Sequence, residues 1–162
     1  MAEKKTSATA FIDVHNHYLP PGYHDAVKAA FNGSPDGIPR LPDWSSSTAL
    51  EMMDRQGIAT AMLSVSSPGV HFGGDQAARS LARSVNEFAA RLTIDHPGRF
   101  GAFASLPMPD VDGALQEIAY ALDVLKLDGF VMLTNANGIY LGDERFAPVF
   151  DELNRRHAVV FI

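Results

Sequence analysis

The sequence predicts an α/β fold built on a parallel sheet, and three observations carry that prediction. Short runs rich in β-branched and aromatic residues alternate with longer amphipathic stretches, the pattern of repeated β-α units. Several short runs are almost continuously apolar (AMLSV from Ala61, GFVML from Gly129, AVVFI from Ala158), as expected of strands covered on both faces. The stretches between them carry helix start and stop chemistry. A chain of 162 residues, 46% apolar and 20% charged, can bury one sizeable core, which implies one folded domain over residues 11–162 and excludes global disorder.

Five strands are expected, near Phe11–His15, Thr60–Val65, Phe100–Leu106, Gly129–Thr134 and Ala158–Ile162. Residues 1–10 read as a flexible leader. Four helices join the strands. In the first, Thr48 and Glu51 have capping-box spacing and Gly57 is placed to end it. The second has Asp75 as its cap and a stripe of Leu81, Val85, Phe88 and Leu92, and His96-Pro97-Gly98 stops it. A third runs from about Asp112 with Leu115, Ile118, Ala119, Leu122 and Leu125 as its stripe. The fourth starts at Pro148, a residue suited to the first helical position, and runs to Arg156. The segment from Tyr18 to Ser47, rich in proline and glycine, reads as a lid or binding loop with a short helix at Asp25–Phe31, and Asn135–Gly142 as a second loop.

The net charge of −6, with basic residues scattered apart from pairs such as Lys4-Lys5, argues against nucleic acid and anionic lipid as partners. Zero cysteines exclude disulfides, thiolate metal sites and thiol nucleophiles. The longest apolar runs are strand-sized, so no membrane span is expected. The opening residues lack the apolar centre of a signal peptide, and a cytoplasmic protein is the expectation.

The chemistry concentrates in Asp13-Val14-His15-Asn16-His17, at the carboxyl end of the first strand. Alternation along a strand sends Asp13, His15 and His17 to one face, where two imidazoles can converge on a divalent transition metal such as zinc. The competing reading is two polar residues at a strand exit, bonded to water and backbone. Position favours the metal, because folds of this kind build their sites at the carboxyl edge. Asp13 either orients a ligating histidine or bonds within the sheet. His71, Ser66, Ser105, Thr134 and Asn135 end strands or follow them at that edge, where they could bind substrate or serve as ordinary turn residues. His96 and His157, near helix C-termini, are expected to be structural, and His24 to lie at the surface.

The opening FIDVHNHYLP, the run SLPMPDVDGALQEIAYALDVLKLDG and the close RFAPVFDELNRRHAVVFI resemble the amidohydrolase-related metal enzymes of the aminocarboxymuconate semialdehyde decarboxylase type. The resemblance is to members acting on salicylate-type and resorcylate-type acids in particular, and it covers nearly the whole chain from Phe11. It implies the N-terminal part of a (β/α)8 TIM-type barrel, five parallel strands with intervening helices, incomplete in this chain. It implies His15 and His17 as metal ligands, zinc first and manganese as the alternative. It places the remaining ligands and the proton-handling residue beyond Ile162.

The function expected is therefore decarboxylation of an aromatic or unsaturated carboxylic acid, with hydrolysis or hydration on the same scaffold as the alternative. A catalytically silent half-barrel is a further reading, and a complete five-stranded doubly wound domain ranks last. Unpaired outer strands and an uncovered inner face predict that the chain pairs with another copy as a homo-oligomer, or forms part of a longer chain.

Overall fold

The computed structural model describes residues 11–31, 35 and 41–162; the expected leader over residues 1–10 lies outside them. In chain order the elements are β1 (Phe11–His17), α1 (Tyr23–Phe31), α2 (Ser46–Gln56), β2 (Ile58–Ser64), α3 (Asp75–Asp95), β3 (Phe100–Ser105) and α4 (Val111–Asp123). They continue as β4 (Gly129–Val131), β5 (Asn135–Ala136), β6 (Ile139–Tyr140), a 3-10 turn at Glu144–Phe146, α5 (Ala147–Arg155) and β7 (Val160–Phe161). Five strands pair in parallel in the order β1-β2-β3-β4-β7, so each successive long strand is added on the same side. That order is the winding expected of consecutive β-α units.

The sheet is curled into half a barrel. In a flat sheet, four steps of about 4.8 Å would separate the outer strands by about 19 Å. Here the ring of His15 on β1 lies 5.2 Å from the ring of Phe161 on β7, centroid to centroid. Phe161 also stacks on Phe103 of β3 at 5.9 Å, so aromatic side chains fill the concave face where its wall is tightest. The central strand β3 is buried at all six positions, with helices on its outer side and these rings on its inner side.

Helix ends show where local chemistry prevailed and where the expected cap was displaced. The cap of α2 is Ser45, whose hydroxyl accepts from the Thr48 N–H, three residues before the expected Thr48. Gly57 ends that helix at φ 70°, the left-handed conformation that glycine adopts without strain. Gly74, not Asp75, caps α3, because the Asp75 carboxylate is bonded to His71 instead. Asp110 caps α4 by accepting from the Gly113 N–H, moving its start one residue forward of Asp112. The segment Asn135–Gly142, expected as a loop, folds as the β5-β6 hairpin, with Asn137 and Gly138 both at positive φ in its turn. The run expected to continue to Thr134 leaves the sheet after Val131, and the last strand is confined to Val160–Phe161.

The buried face of α3 is built from small residues, Ala78, Ala82, Ala89 and Ala90, beside Val85 and Leu92; Leu81 and Phe88 sit at its margin. Small side chains let the helix lie close to β3 and α4. Between α3 and α4 lies a buried polar network. Asn86, fully buried, donates to the Ser105 carbonyl and to Glu117 Oε1, both at 2.9 Å, and accepts from the Ser105 N–H at 2.8 Å. Arg83 pairs with Glu117 at 2.9 Å and lies 3.5 Å over the Tyr120 ring.

A Cβ on Gly129 would stand 2.5 Å from the backbone oxygen of Val159, so β4 and β7 can pair only around a glycine. Gly129→Ala is expected to destabilise the fold by about 2 kcal/mol and lower the melting temperature by about 5 °C, a loss that thermal denaturation would measure. Arg79, hydrogen-bonded to both oxygens of Asp110, holds that carboxyl below its ordinary value of 3.8. A depressed carboxyl contributes stability that is present above its unfolded value and lost as pH falls through the folded one. The melting temperature is therefore expected to fall below about pH 4, and to fall less steeply in Asp110→Asn; equal slopes in the two proteins would count against the linkage.

Candidate active site

The site is assembled at the carboxyl rim of the sheet. In β1 three steps from Asp13 to Asn16 face only two on β2, from Ala61 to Leu63, so β1 carries one extra residue at the point where the histidines begin. The freed His15 N–H is taken up by Asp13 Oδ1 at 3.1 Å, and Asp13 Oδ2 accepts from the Asn16 side-chain amide at 2.9 Å. Asp13 thus clasps the bulge through the His15 main chain and the Asn16 side chain rather than bonding to an imidazole.

The two rings meet edge to face, 4.7 Å between centroids, with their Nε2 atoms 3.0 Å apart. His17 Nδ1 lies 3.3 Å from the Ser64 carbonyl and 3.2 Å from the Ser64 hydroxyl. A carbonyl only accepts, so Nδ1 carries the proton and the Nε2 lone pair is turned toward His15. Partial burial, with His15 alongside, moves the His17 imidazole below its ordinary value and favours this neutral form.

The chemistry of this donor pair fits a divalent cation. Two nitrogens bound to one ion at about 2.1 Å stand about 3.0 to 3.4 Å apart, and the observed separation lies at the lower end of that span. Among the described residues, no group of three or more histidines, aspartates or glutamates forms a cluster that could hold a metal. Two nitrogens fill only part of the coordination shell of such a cation.

A cavity of about 610 Å³ opens at the same carboxyl rim, where β2, β3 and β4 end; neither His15 nor His17 is among its lining residues. Val65, the residue after Ser64, and Ile162, the residue after Phe161, both line it. His71, Thr134, Asn135 and Ser105 line it as well, whereas Ser66 lies in a turn, its carbonyl accepting from the Gly69 N–H. The Asn135 side-chain oxygen accepts from the Gly138 N–H and closes the hairpin. His71 bonds on both sides: Nε2 to Asp75 at 3.0 Å, and Nδ1 to the Asn137 side chain at 3.2 Å, tying the loop after β2 to the hairpin. The segment read as a lid contributes α1, fixed by Tyr23 and Phe31 packing on Phe72 and by the Tyr23 hydroxyl on the Gly69 carbonyl; Phe31 lines the cavity.

Ser64, Phe161 and Asn86 were not legible as site-supporting residues. Asn86 alone left a trace, a polar residue beside Val85 on the apolar stripe of α3. His24 bonds the Pro42 carbonyl, His96 ends α3 against Phe100, and His157 takes positive φ after α5, all structural placements.

The chain matches the sequence model of the Amidohydrolase family over residues 12–162 and belongs to that family. It is 45% identical over 159 residues to the decarboxylase yanB of Aspergillus niger, covering 93% of this chain and 42% of that protein. It is 43% identical over 155 residues to the 6-methylsalicylic acid decarboxylase acuB of Aspergillus aculeatus, covering 93% of this chain and 46% of that protein. The chain therefore spans less than half the length of these curated relatives. Among solved structures, an amidohydrolase II superposes with a TM-score of 0.88 at 36% identity, covering 92% of this chain and 48% of that one. A manganese-bound dihydroxybenzoic acid decarboxylase from Polaromonas sp. JS666 shares the fold with a TM-score of 0.76 at 23% identity, over 94% of this chain and 48% of that one. The expected N-terminal portion of a β/α barrel is thus the observed architecture. No helix among the described residues is long and apolar enough to cross a membrane.

Proposed function

We propose that the protein carrying this chain is a metal-dependent lyase that removes carbon dioxide from an aromatic carboxylic acid. His15 and His17 supply two of its metal ligands. The observation that carries the reading is the meeting of the two Nε2 atoms at 3.0 Å, with His17 set in the ligating tautomer by Ser64, at the same rim as a cavity of mixed lining. The names of the relatives, decarboxylases at 43–45% identity, support the same chemistry.

A divalent cation, when bound, supplies a Lewis acid for the substrate carboxylate and a neighbouring oxygen. Zinc is our first choice on the histidine donors, with manganese the competitor on the strength of the Polaromonas enzyme. Residues 11–162 do the holding. Asp13 fixes the bulge that aims His15, Phe161 packs on the His15 ring, and Ser64 keeps the His17 lone pair toward the acid. Val65, Leu106, Met108 and Met132 give the aromatic ring an apolar seat. Loss of carbon dioxide leaves the bonding electron pair on the ring carbon, and that carbon takes a proton from a group we assign to the rest of the barrel.

The proposal extends to a cytoplasmic setting and to self-association of the full-length protein. The deciding experiment is carbon dioxide release from 2-hydroxybenzoic acids by the full-length protein, followed alongside hydrolysis of an aromatic lactone and metal analysis after dialysis. Release of carbon dioxide with about one metal per chain is expected. Lactone turnover without it would transfer the assignment to a hydrolase.

A further inference from the structure

We infer, resting on the decarboxylase reading above, that His71 is a positioning residue for the reaction, a strut from the start of α3 to the tip of the β5-β6 hairpin that holds one wall of the cavity in place for the substrate. The hairpin is small. It pairs through Asn135 with Tyr140 and Ala136 with Ile139, and a ladder of this size does not hold its shape unaided. Its base is fixed by the Leu141 N–H on the Thr134 carbonyl and by Ile139 and Leu141 packing on the core. Its tip is the turn Asn137-Gly138, and Asn137 lines the cavity together with Asn135, Ala136 and Leu141.

His71 meets that tip. Its side chain is only 8% exposed and is bonded at both nitrogens. The Asp75 carboxylate accepts, so Nε2 carries the proton, and the Nδ1 lone pair accepts from the Asn137 side-chain amide at 3.2 Å. Asp75 has the capping chemistry for α3, yet Gly74 occupies the cap with no side-chain bond while Asp75 holds the imidazole. Asn137 sits at φ 52°, a turn conformation equally open to glycine, so the turn itself does not call for an amide. What the amide adds is the bond to His71. The loop that carries His71 is anchored from the other side, by the Tyr23 hydroxyl on the Gly69 carbonyl at 2.7 Å and by Phe72 against Tyr23 and Phe31 of α1. With that loop and α3 fixed, the hairpin is the element whose place depends on the strut. Loss of the bond therefore weakens the hold on the substrate and leaves the histidine pair on β1 untouched, a pattern that reads as a raised KM at nearly constant kcat.

The two bonds separate by substitution. In His71→Asn the side-chain oxygen falls near the place of Nδ1 and still accepts from Asn137. In His71→Gln the side-chain amide falls near the place of Nε2 and still donates to Asp75. Asn137→Gly keeps the turn and removes the amide. In the full-length, metal-loaded protein with salicylate as the probe, His71→Gln and Asn137→Gly are each expected to raise KM about fivefold, the worth of one hydrogen bond, with kcat within about twofold. The double variant should be no worse than either single one, because both remove the same bond. His71→Asn is expected to keep KM within about twofold of the parent value. Hydrogen exchange followed by mass spectrometry reads the hairpin itself: peptides covering residues 135–142 should exchange about fivefold faster in His71→Gln and Asn137→Gly, and at the parental rate in His71→Asn. A His71→Asn variant as impaired as His71→Gln, or hairpin exchange unchanged in both bond-breaking variants, overturns the inference. If the parent protein releases no carbon dioxide, the lyase reading fails and the effect on KM with it, whereas the exchange result upholds or overturns the strut independently.

Discussion

Replacement of Asn86 by leucine is expected to destabilise the fold by about 4 kcal/mol and lower its melting temperature by about 8–16 °C. Leucine fits the volume among the α3 alanines but leaves the Ser105 N–H, the Ser105 carbonyl and one Glu117 oxygen without their partner, and all of these groups are buried. Each such orphaned group costs about 1–3 kcal/mol. Asn86→Asp separates polarity from hydrogen-bond direction. The new carboxylate still accepts from the Ser105 N–H with one oxygen, yet its other oxygen, in the place of Nδ2, faces both the Ser105 carbonyl and the Glu117 carboxylate. It is therefore expected to fare no better than leucine at neutral pH. Thermal and urea denaturation followed by circular dichroism measure both, and a loss under about 1 kcal/mol in each would show that the network holds nothing together.

For His15→Ala and His17→Ala, the expectation is loss of stoichiometric metal on dialysis of the full-length protein and a fall in turnover of at least about 1000-fold. His15 is exposed and His17 only partly buried, so the melting temperature of the metal-free protein should fall little. Asp13→Ala should act more mildly, weakening metal retention about 10–100-fold, because it loosens the bulge without removing a donor. Metal content and turnover retained at parental levels in either histidine variant would rule the pair out as ligands.

Much of the architecture could be read from residue order because its determinants are local. Strands covered on both faces need continuous apolar runs, and AMLSV meets that need, whereas AVVFI pairs only through Val160–Phe161 and leaves Val159 and Ile162 exposed; Gly57 and His96-Pro97-Gly98 stop their helices where chain chemistry requires. The caps shifted where local signals were degenerate. Ser45, Ser46, Ser47 and Thr48 offer four hydroxyls in a row, and only the direction of the incoming chain selects Ser45. Asp75 has helix-capping chemistry, but a tertiary partner, His71, claims its oxygen.

The histidine pair was legible from the two-residue period of a strand, although the bulge between Asp13 and Asn16 was not. Ser64 and Phe161 escaped notice because they meet the pair only after the sheet has curled, and neither residue type advertises such a role. The cavity was partly visible in His71, Thr134 and Asn135, while its apolar wall looked like ordinary core until the strands ended beneath it.

The clasp at Asp13 is made entirely within five consecutive residues, whereas the tautomer of His17 depends on a serine 47 positions away. The aim of one ring is therefore portable and the protonation of the other is not. A pentapeptide grafted onto the end of an unrelated parallel strand would carry the pose of His15 with it, but would become a competent donor pair only where the neighbouring strand offers a bare carbonyl at the matching height.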